Sequence, residues 1–233
     1  MINMAIWPDI LNVKKQRMIK MQKLLMIFFL VFIISDFYGQ DKKANFGIKA
    51  GVNYGKYVPD KRSTEYRHVV GFYAGGFFNI ALEEKLEFQP ELLFALHGSR
   101  IFIGGLDIPS FDYNGNRLPN SNTYDFTYEV NELTISVPLA IKVFLSKNFY
   151  LESGPQFGII VDRRLSSSQE LLEGEDDSFV IRDGDSFDFG VCLGIGQKLS
   201  EKLSLNLRSY TGLIKRDDDI KSFVFNLGLA YNL

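Results

Sequence analysis

Beyond residue 44 the chain alternates apolar with polar or small residues, and the alternation has a period of two. That period puts successive side chains on opposite faces of an extended strand. Eight runs carry the pattern. The first, 45–57, sets Phe46, Ile48, Ala50, Val52 and Tyr54 on one face. The second, 68–82, does so with Val70, Phe72, Ala74, Phe78 and Ile80, and the third, 85–97, with Leu86, Phe88, Leu92, Phe94 and Leu96. The fourth, 128–145, carries Leu133, Ile135, Val137, Leu139, Ile141 and Val143, and the fifth, 149–161, carries Leu151, Phe157 and Ile159. The sixth, 186–198, has Phe187, Phe189, Val191, Leu193 and Ile195. The seventh, 203–213, has Leu203, Leu205 and Leu207, and the eighth, 222–233, has Phe223, Phe225, Leu227, Leu229, Tyr231 and Leu233. No long stretch shows helical periodicity.

The connections alternate in length. Those around 83–84, at 146–148 and around 200–202 are tight, whereas 58–67, 98–127, 162–185 and 214–221 are long. An even number of antiparallel strands with short turns at one end and long loops at the other is the pattern of an outer-membrane barrel. The runs also reach the length of about 9–11 tilted residues that crosses a bilayer. The fold expected is all-β: an eight-stranded antiparallel up-and-down transmembrane β-barrel preceded by a signal peptide. A soluble sandwich or a lipocalin-like barrel could use the same hairpins, and the opposite faces of the strands decide between them. They carry Lys49 and Asn53, Glu87, Gln89 and Glu91, Lys142, Glu152 and Gln156, Asp188, and Asn206 and Arg208, interleaved with many glycines. A lipocalin would have an apolar lumen. A closed sheet in lipid turns the apolar band outward and encloses the polar face, and closure pairs every strand edge, as lipid requires.

Lys49, Lys142 and Arg208 stand against Glu87, Glu91, Glu152 and Asp188. An eight-stranded barrel has an interior just wide enough for side chains to fill. These residues are therefore expected to form a charged network that plugs the lumen, with a gated conductance path as the alternative. Pro90, Pro138 and Pro155 each remove a ladder hydrogen bond, so bulges or irregular pairing are expected there.

The first forty residues differ from the rest. A basic stretch, KKQRMIKMQK, precedes an uninterrupted apolar run of eleven residues, 24–34, and then the polar segment DKKAN. This is the order of a secretory signal, and the run is shorter than the ~20 residues a spanning helix needs. The chain is read as 1–40, an N-terminal extension and signal peptide, followed by 41–233, the barrel domain, with Met18 or Met21 as alternative starts. Lys14, Lys15, Arg17, Lys20 and Lys23 all fall in the signal, which leaves the remainder more acidic than the formal −2 of the whole chain. No basic face points to nucleic acid, and the lone Cys192 excludes an internal disulfide.

Other candidate chemistry is sparse. Glu173, Glu175, Asp176, Asp177, Asp183 and Asp185 cluster in one loop, but their spacing lacks the rest of a calcium-binding loop, so a solvated acidic surface is expected. His68 and His97 have no nucleophile or orienting acid assignable from sequence, and no enzymatic activity, cofactor or metal is expected.

The segment TISVPLAIKVFLSKNFYLESGPQFGIIV resembles the PorT-like outer-membrane β-barrel family of Bacteroidetes, whose members carry a (I/V)P-L-x-x-K strand, a short turn and then FYLE-x-GP-x-x-G. The matching positions are Val137, Pro138, Leu139, Lys142, Phe149, Tyr150, Leu151, Glu152, Gly154, Pro155 and Gly158. FGIKAGVNYGKY, FQPELLFALHGSR and SFVFNLGLAYNL are similar to the family's opening, third and last strands, although the chain ends in Leu233 where Phe is more usual. The resemblance implies outer-membrane lipid as the surroundings. One namesake is linked to protein secretion through the type IX system, and an accessory role there is an alternative that the barrel motifs alone do not carry over. A fold hosts many functions, so two classes stay open: a structural or interaction barrel that meets envelope proteins through its loops, and a small porin-like transport or ligand-uptake barrel.

Overall fold

The computed structural model describes residues 44–108, 112–114, 116, 122–167, 178–180, 185–216 and 219–233. The expected signal segment and Glu173–Asp177 with Asp183 of the acidic loop lie outside the described residues. Asn45–Leu233 is one compact unit.

Ten strands follow one another: β1 (Ala44–Val58), β2 (Thr64–Arg67), β3 (Val69–Glu83), β4 (Leu86–Ile108), β5 (Asn122–Phe144), β6 (Phe149–Ser167), β7 (Ser178–Val180), β8 (Phe187–Lys198), β9 (Leu203–Gly212) and β10 (Lys221–Asn232). Eight of them form a closed antiparallel ring in the order β4-β3-β1-β10-β9-β8-β6-β5, with β5 pairing back onto β4. The first and last strands meet, from Gly47↔Asn232 to Val58↔Lys221. β2 prolongs the pairing of β3 along β4, and β7 adds to β6. No helix among the described residues is long and apolar enough to cross a membrane; the crossing elements are strands.

Two of the tight turns are built alike. At 146–149 the Ser146 hydroxyl accepts from the backbone N–H groups of Asn148 and Phe149 at 3.4 and 3.1 Å, and Leu145 N–H donates to Phe149 O at 3.0 Å. At 200–203 the Ser200 hydroxyl accepts from Lys202 and Leu203 at 3.3 and 3.0 Å, and Leu199 N–H donates to Leu203 O at 2.8 Å. A serine that caps its own turn saves both connections from needing more residues. The short turns and both ends of the ring lie at one end, which in an outer-membrane barrel is the periplasmic one.

The other end departs from the sequence expectation. The third, fourth and fifth runs were expected to stop at 97, begin at 128 and stop at 161; β4, β5 and β6 instead reach Ile108, Asn122 and Ser167. Most of the long loop 98–127 is thus a strand pair, with roughly 35 Å of strand beyond His97 at about 3.3 Å per residue. Above the bilayer a strand no longer needs a continuous apolar face, so the signal fades while the pairing persists. β2 and β7 are too short to announce themselves by alternation. The extension bends at a bulge where Gly104 and Gly105 oppose Asp125; Gly105 has φ 69°, a left-handed conformation suited to glycine, and its N–H donates to the Asp125 carboxylate at 2.9 Å.

The prolines behave partly as expected. Regular pairing lapses beside each of them, between Phe77↔Glu91 and Ile80↔Phe88 at Pro90, and between Pro138↔Gln156 and Ile141↔Ser153 at Pro138 and Pro155. The register is the same on both sides of each gap, so no bulge forms there. A bulge does occur in β6, where the pairs step from Thr134↔Ile160 to Leu133↔Asp162 and Val161 is extra.

The two faces of the ring separate as lipid demands. Outward side chains include Phe72 and Leu193, 64% and 62% exposed to the surroundings, whereas Lys49 and Glu152 on the inner face are 3% and 1% exposed. Large inner residues fit because glycines face them. A Cβ at Gly228 would fall on the Tyr73 ring, and one at Gly196 on the Tyr150 ring. The glycine-rich inner face is therefore a set of recesses for aromatic rings.

Candidate functional site

The charged lumen is built in layers. One row of paired residues climbs around the wall from the periplasmic rim into the middle layer: Glu87↔Lys142, Lys142↔Glu152, Glu152↔Gly194 and Gly194↔Arg208. Gly194 stands between Glu152 and Arg208 and has no side chain to keep them apart. Arg208 Nε donates to Glu152 Oε1 at 2.8 Å, and its Nη1 and Nη2 donate to the two Glu91 oxygens at 2.9 and 2.6 Å. This is the fork-to-fork geometry that makes an arginine–carboxylate contact strong. Lys49 Nζ adds a contact to Glu91 Oε1 at 3.3 Å. Lys142 is placed differently: its Nζ sits 4.5 Å from the centroid of the Tyr150 ring, a cation–π arrangement.

Below this layer, toward the short turns, Lys198 Nζ approaches Glu87 Oε1 at 3.4 Å and the Phe144 ring centroid at 4.1 Å. Phe77, Phe144 and Tyr150 are buried there and narrow the periplasmic end. Above the middle layer lies a polar cavity of about 30 Å³, lined among others by Lys49, Asn53, Tyr73, His97, Arg208 and Tyr210. That is room for a few water molecules.

The upper layer closes the mouth. Glu132 receives Arg163 Nε at 2.8 Å and Arg216 Nη1 at 3.0 and 3.1 Å. The β6 bulge makes the first contact. Continuation of the register from Thr134↔Ile160 would set Asp162 opposite Glu132, two like charges; the extra residue sets Arg163 there instead. Tyr57, Tyr66 and Val130 form an apolar cluster in this region, joined by Ile101, Leu165 and Ile220. On the outer face above the apolar band, Arg100 Nη2 bonds Glu129 at 2.8 Å, and these hydrogen bonds hold the Glu129 carboxyl below its ordinary range.

Of the seven charged residues singled out in the sequence, Lys49, Glu91, Glu152 and Arg208 meet in one cluster, Lys142 stacks beside it, and Glu87 lies at the periplasmic rim. Asp188 belongs to the upper region, where its Oδ1 lies 3.1 Å from the place a Gly212 Cβ would take. The hairpin motif lines the same interior. Pro138 is fully buried, Lys142 pairs Glu152 across the hairpin, Gly154 O accepts from Cys192 Sγ at 3.3 Å, and Gly158 stands between Ser136 and Asp188, while Pro155 points outward. Sequence reading missed Glu132, Arg163, Lys198 and Arg216. Strand parity with Leu133 and Thr134 would have found Glu132; Arg216 sits in a connection and has no such signal. His97, read as a residue near a loop end, is buried in the cavity wall. Among the described residues no group of His, Cys, Asp or Glu could hold a metal ion.

Solved structures with a similar course of chain include Neisserial surface protein A, 11% identical with a TM-score of 0.45 over 82% of this chain and 99% of that one. The attachment invasion locus protein Ail of Yersinia pestis is 12% identical with a TM-score of 0.44, again over 82% and 99%. The outer membrane protein OprG of Pseudomonas aeruginosa is 14% identical with a TM-score of 0.41 over 82% and 97%. No curated protein matches the sequence. The family model described as outer membrane protein beta-barrel domain matches residues 37–218, most of the chain. With a closed ring of eight strands, an apolar outer band and a charged interior, the chain belongs to that outer-membrane β-barrel family.

Proposed function

We propose that the protein is a non-conducting outer-membrane scaffold that meets envelope or external partners through the strands and loops standing above the membrane. The observation that carries this reading is the filled lumen. The Arg208 cluster and the Glu132 cluster lie one above the other, and a small cavity adjoins Arg208. While both clusters are formed, their paired side chains stand across the path of a hydrated ion. The part of the molecule with surface to offer is the extension of β4, β5 and β6, braced by β2 and β7. No chemistry on a substrate is assigned to it. The hairpin motif from Pro138 to Gly158 supports a place in the PorT-like branch of the family, and an accessory role in protein secretion would be one form of the scaffold.

Reconstitution in planar bilayers tests the reading. The unmodified barrel is expected to show little steady conductance. A large and stable single-channel current would overturn the scaffold and favour the porin-like alternative. Replacing 102–127 by a short glycine turn should leave the barrel folded and remove any partner that binds the extension.

A further inference from the structure

The mouth of the barrel has a property that a plug does not need. Its second cation, Arg216, comes from the connection between β9 and β10 and not from a strand. The residue is 3% exposed, yet its neighbours Leu213, Ile214 and Lys215 are exposed. Its groove offers a guanidinium what such a group needs. Nη1 donates to both oxygens of Glu132 at 3.0 and 3.1 Å, Nη2 donates to Ser222 Oγ at 2.9 Å, and the guanidinium carbon lies 5.2 Å from the Tyr57 ring centroid. A carboxylate, a hydroxyl and an aromatic ring together recognise a planar cation by charge, by hydrogen bonding and by cation–π attraction.

Two further observations set this groove apart from an ordinary ion pair. Glu132 is already held by Arg163 at 2.8 Å, so it does not depend on Arg216 for a counter-charge. The groove also has polar capacity beyond what Arg216 uses: Tyr57 Oη and Asp188 Oδ1 are buried without a hydrogen-bond partner among the described residues, while Nε of Arg216 itself finds no acceptor there. Asp188 Oδ1 and the Ser222 backbone N both lie 3.1 Å from the place a Gly212 Cβ would take, which puts Asp188 at the Ser222 side of the groove.

We infer that the extracellular mouth is a recognition site for an alkylguanidinium group, and that Arg216 occupies it as a tethered internal ligand. The site would accept an arginine side chain or a free alkylguanidinium once the Arg216 side chain leaves it. Tethering keeps Arg216 at a high effective concentration, so a weak external ligand does not displace it unaided. The inference rests on the geometry of the mouth and goes beyond the scaffold reading.

The test removes the internal ligand and supplies external ones. Arg216→Ala is prepared in detergent micelles or nanodiscs, with folding checked by heat-modifiable migration. Binding of methylguanidinium, tetramethylammonium and acetyl-Gly-Arg-Gly-amide is followed by NMR line broadening of the probe. Methylguanidinium is expected to bind Arg216→Ala at least about tenfold more tightly than tetramethylammonium, which has no N–H to donate, a difference of about 1.4 kcal/mol. The unmodified barrel should bind neither. Binding of the arginine peptide as well would identify a polypeptide as the fitting source; binding of methylguanidinium alone would identify a free small ligand. Equal binding by variant and unmodified barrel, or no binding by either, overturns the inference. If Arg216→Ala does not fold, Arg216→Gln replaces it. A folded Arg216→Gln barrel that binds methylguanidinium no better than the unmodified barrel is then the overturning result. A conducting barrel that still passes this test would remove the scaffold reading and leave the site standing.

Discussion

Replacement of Arg208 by alanine is the sharpest test of how the lumen holds together. Arg208 makes three charge-assisted hydrogen bonds, at 2.6 and 2.9 Å to Glu91 and at 2.8 Å to Glu152. The two carboxylates do not suffer equally when it goes. Glu91 keeps Lys49 at 3.3 Å and accepts a hydrogen bond from Gln89. Glu152 loses the one direct ion pair it makes among the described residues, where its second oxygen already has no partner. Loss of one member of a buried charge pair costs about 3–5 kcal/mol, mainly because the other charge stays buried and uncompensated. Arg208→Ala should therefore fall in that range, and most of the loss should trace to Glu152. The double variant Arg208→Met with Glu152→Gln should recover most of it, since it removes both the cation and the carboxylate it leaves behind. Urea unfolding in lipid vesicles, followed by heat-modifiable migration and tyrosine fluorescence, measures both. A loss below about 1 kcal/mol for Arg208→Ala, the scale of an exposed pair, or a double variant no better than the single one, would refute the reasoning.

Ile141→Arg should impair assembly, because an arginine at the mid-bilayer on the lipid face of a barrel costs roughly 2–4 kcal/mol, whereas Lys142→Gln on the inner face should assemble nearly normally; the reverse order in an assembly assay would mean the faces are exchanged. Gly194→Ala should weaken the barrel without changing its charge, because a Cβ there meets the Leu207 backbone oxygen at 2.7 Å and Glu152 Oε1 and Cγ at 2.9 and 3.0 Å, which crowds both the strand pairing and the carboxylate beside Arg208; urea unfolding that matches the unmodified protein would refute this. Hydrogen bonds from Arg100 depress the Glu129 carboxyl, so the stabilisation from this pair is present above the ordinary glutamate pKa and is lost as pH falls through the lowered one. A ¹³C titration that finds Glu129 protonating at or above the ordinary glutamate range would contradict the pairing.

The membrane-embedded half of the barrel was legible because the bilayer imposes a strict rule on every second residue. Ile141 and Lys142 follow it, as do Leu151 and Glu152, and their facing can be read residue by residue. The rule lapses in two places. Beyond His97 on β4 neither lipid nor a packed lumen enforces alternation, and the strands there were read as a loop. In β6 the extra Val161 inverts the parity, so that Arg163, which strict alternation would turn outward, faces Glu132. Arg216 was hidden for a third reason. Its position depends on the path of a connection, and no periodicity encodes that path. The charged cluster around Arg208 could be listed from sequence, but which carboxylate meets which cation follows from the stagger of neighbouring strands and from the vacancy at Gly194.

The pairing of β1 with β10 has a consequence for the order of assembly. The ring cannot close until β10 emerges, because the partner of β1 is β10. Until then the sheet is open, with unpaired edges and an inner face carrying Lys49, Glu91, Glu152 and Arg208. Laid flat in hydrocarbon, that face would bring several charges out of water before their partners are in place, at a cost of several kcal/mol for each. Curling must therefore accompany entry into the bilayer. Arg208 on β9 finds Glu91 on β4 only when the sheet has bent far enough for opposite walls to meet, so the ion cluster forms late and locks a shape that backbone pairing has already set.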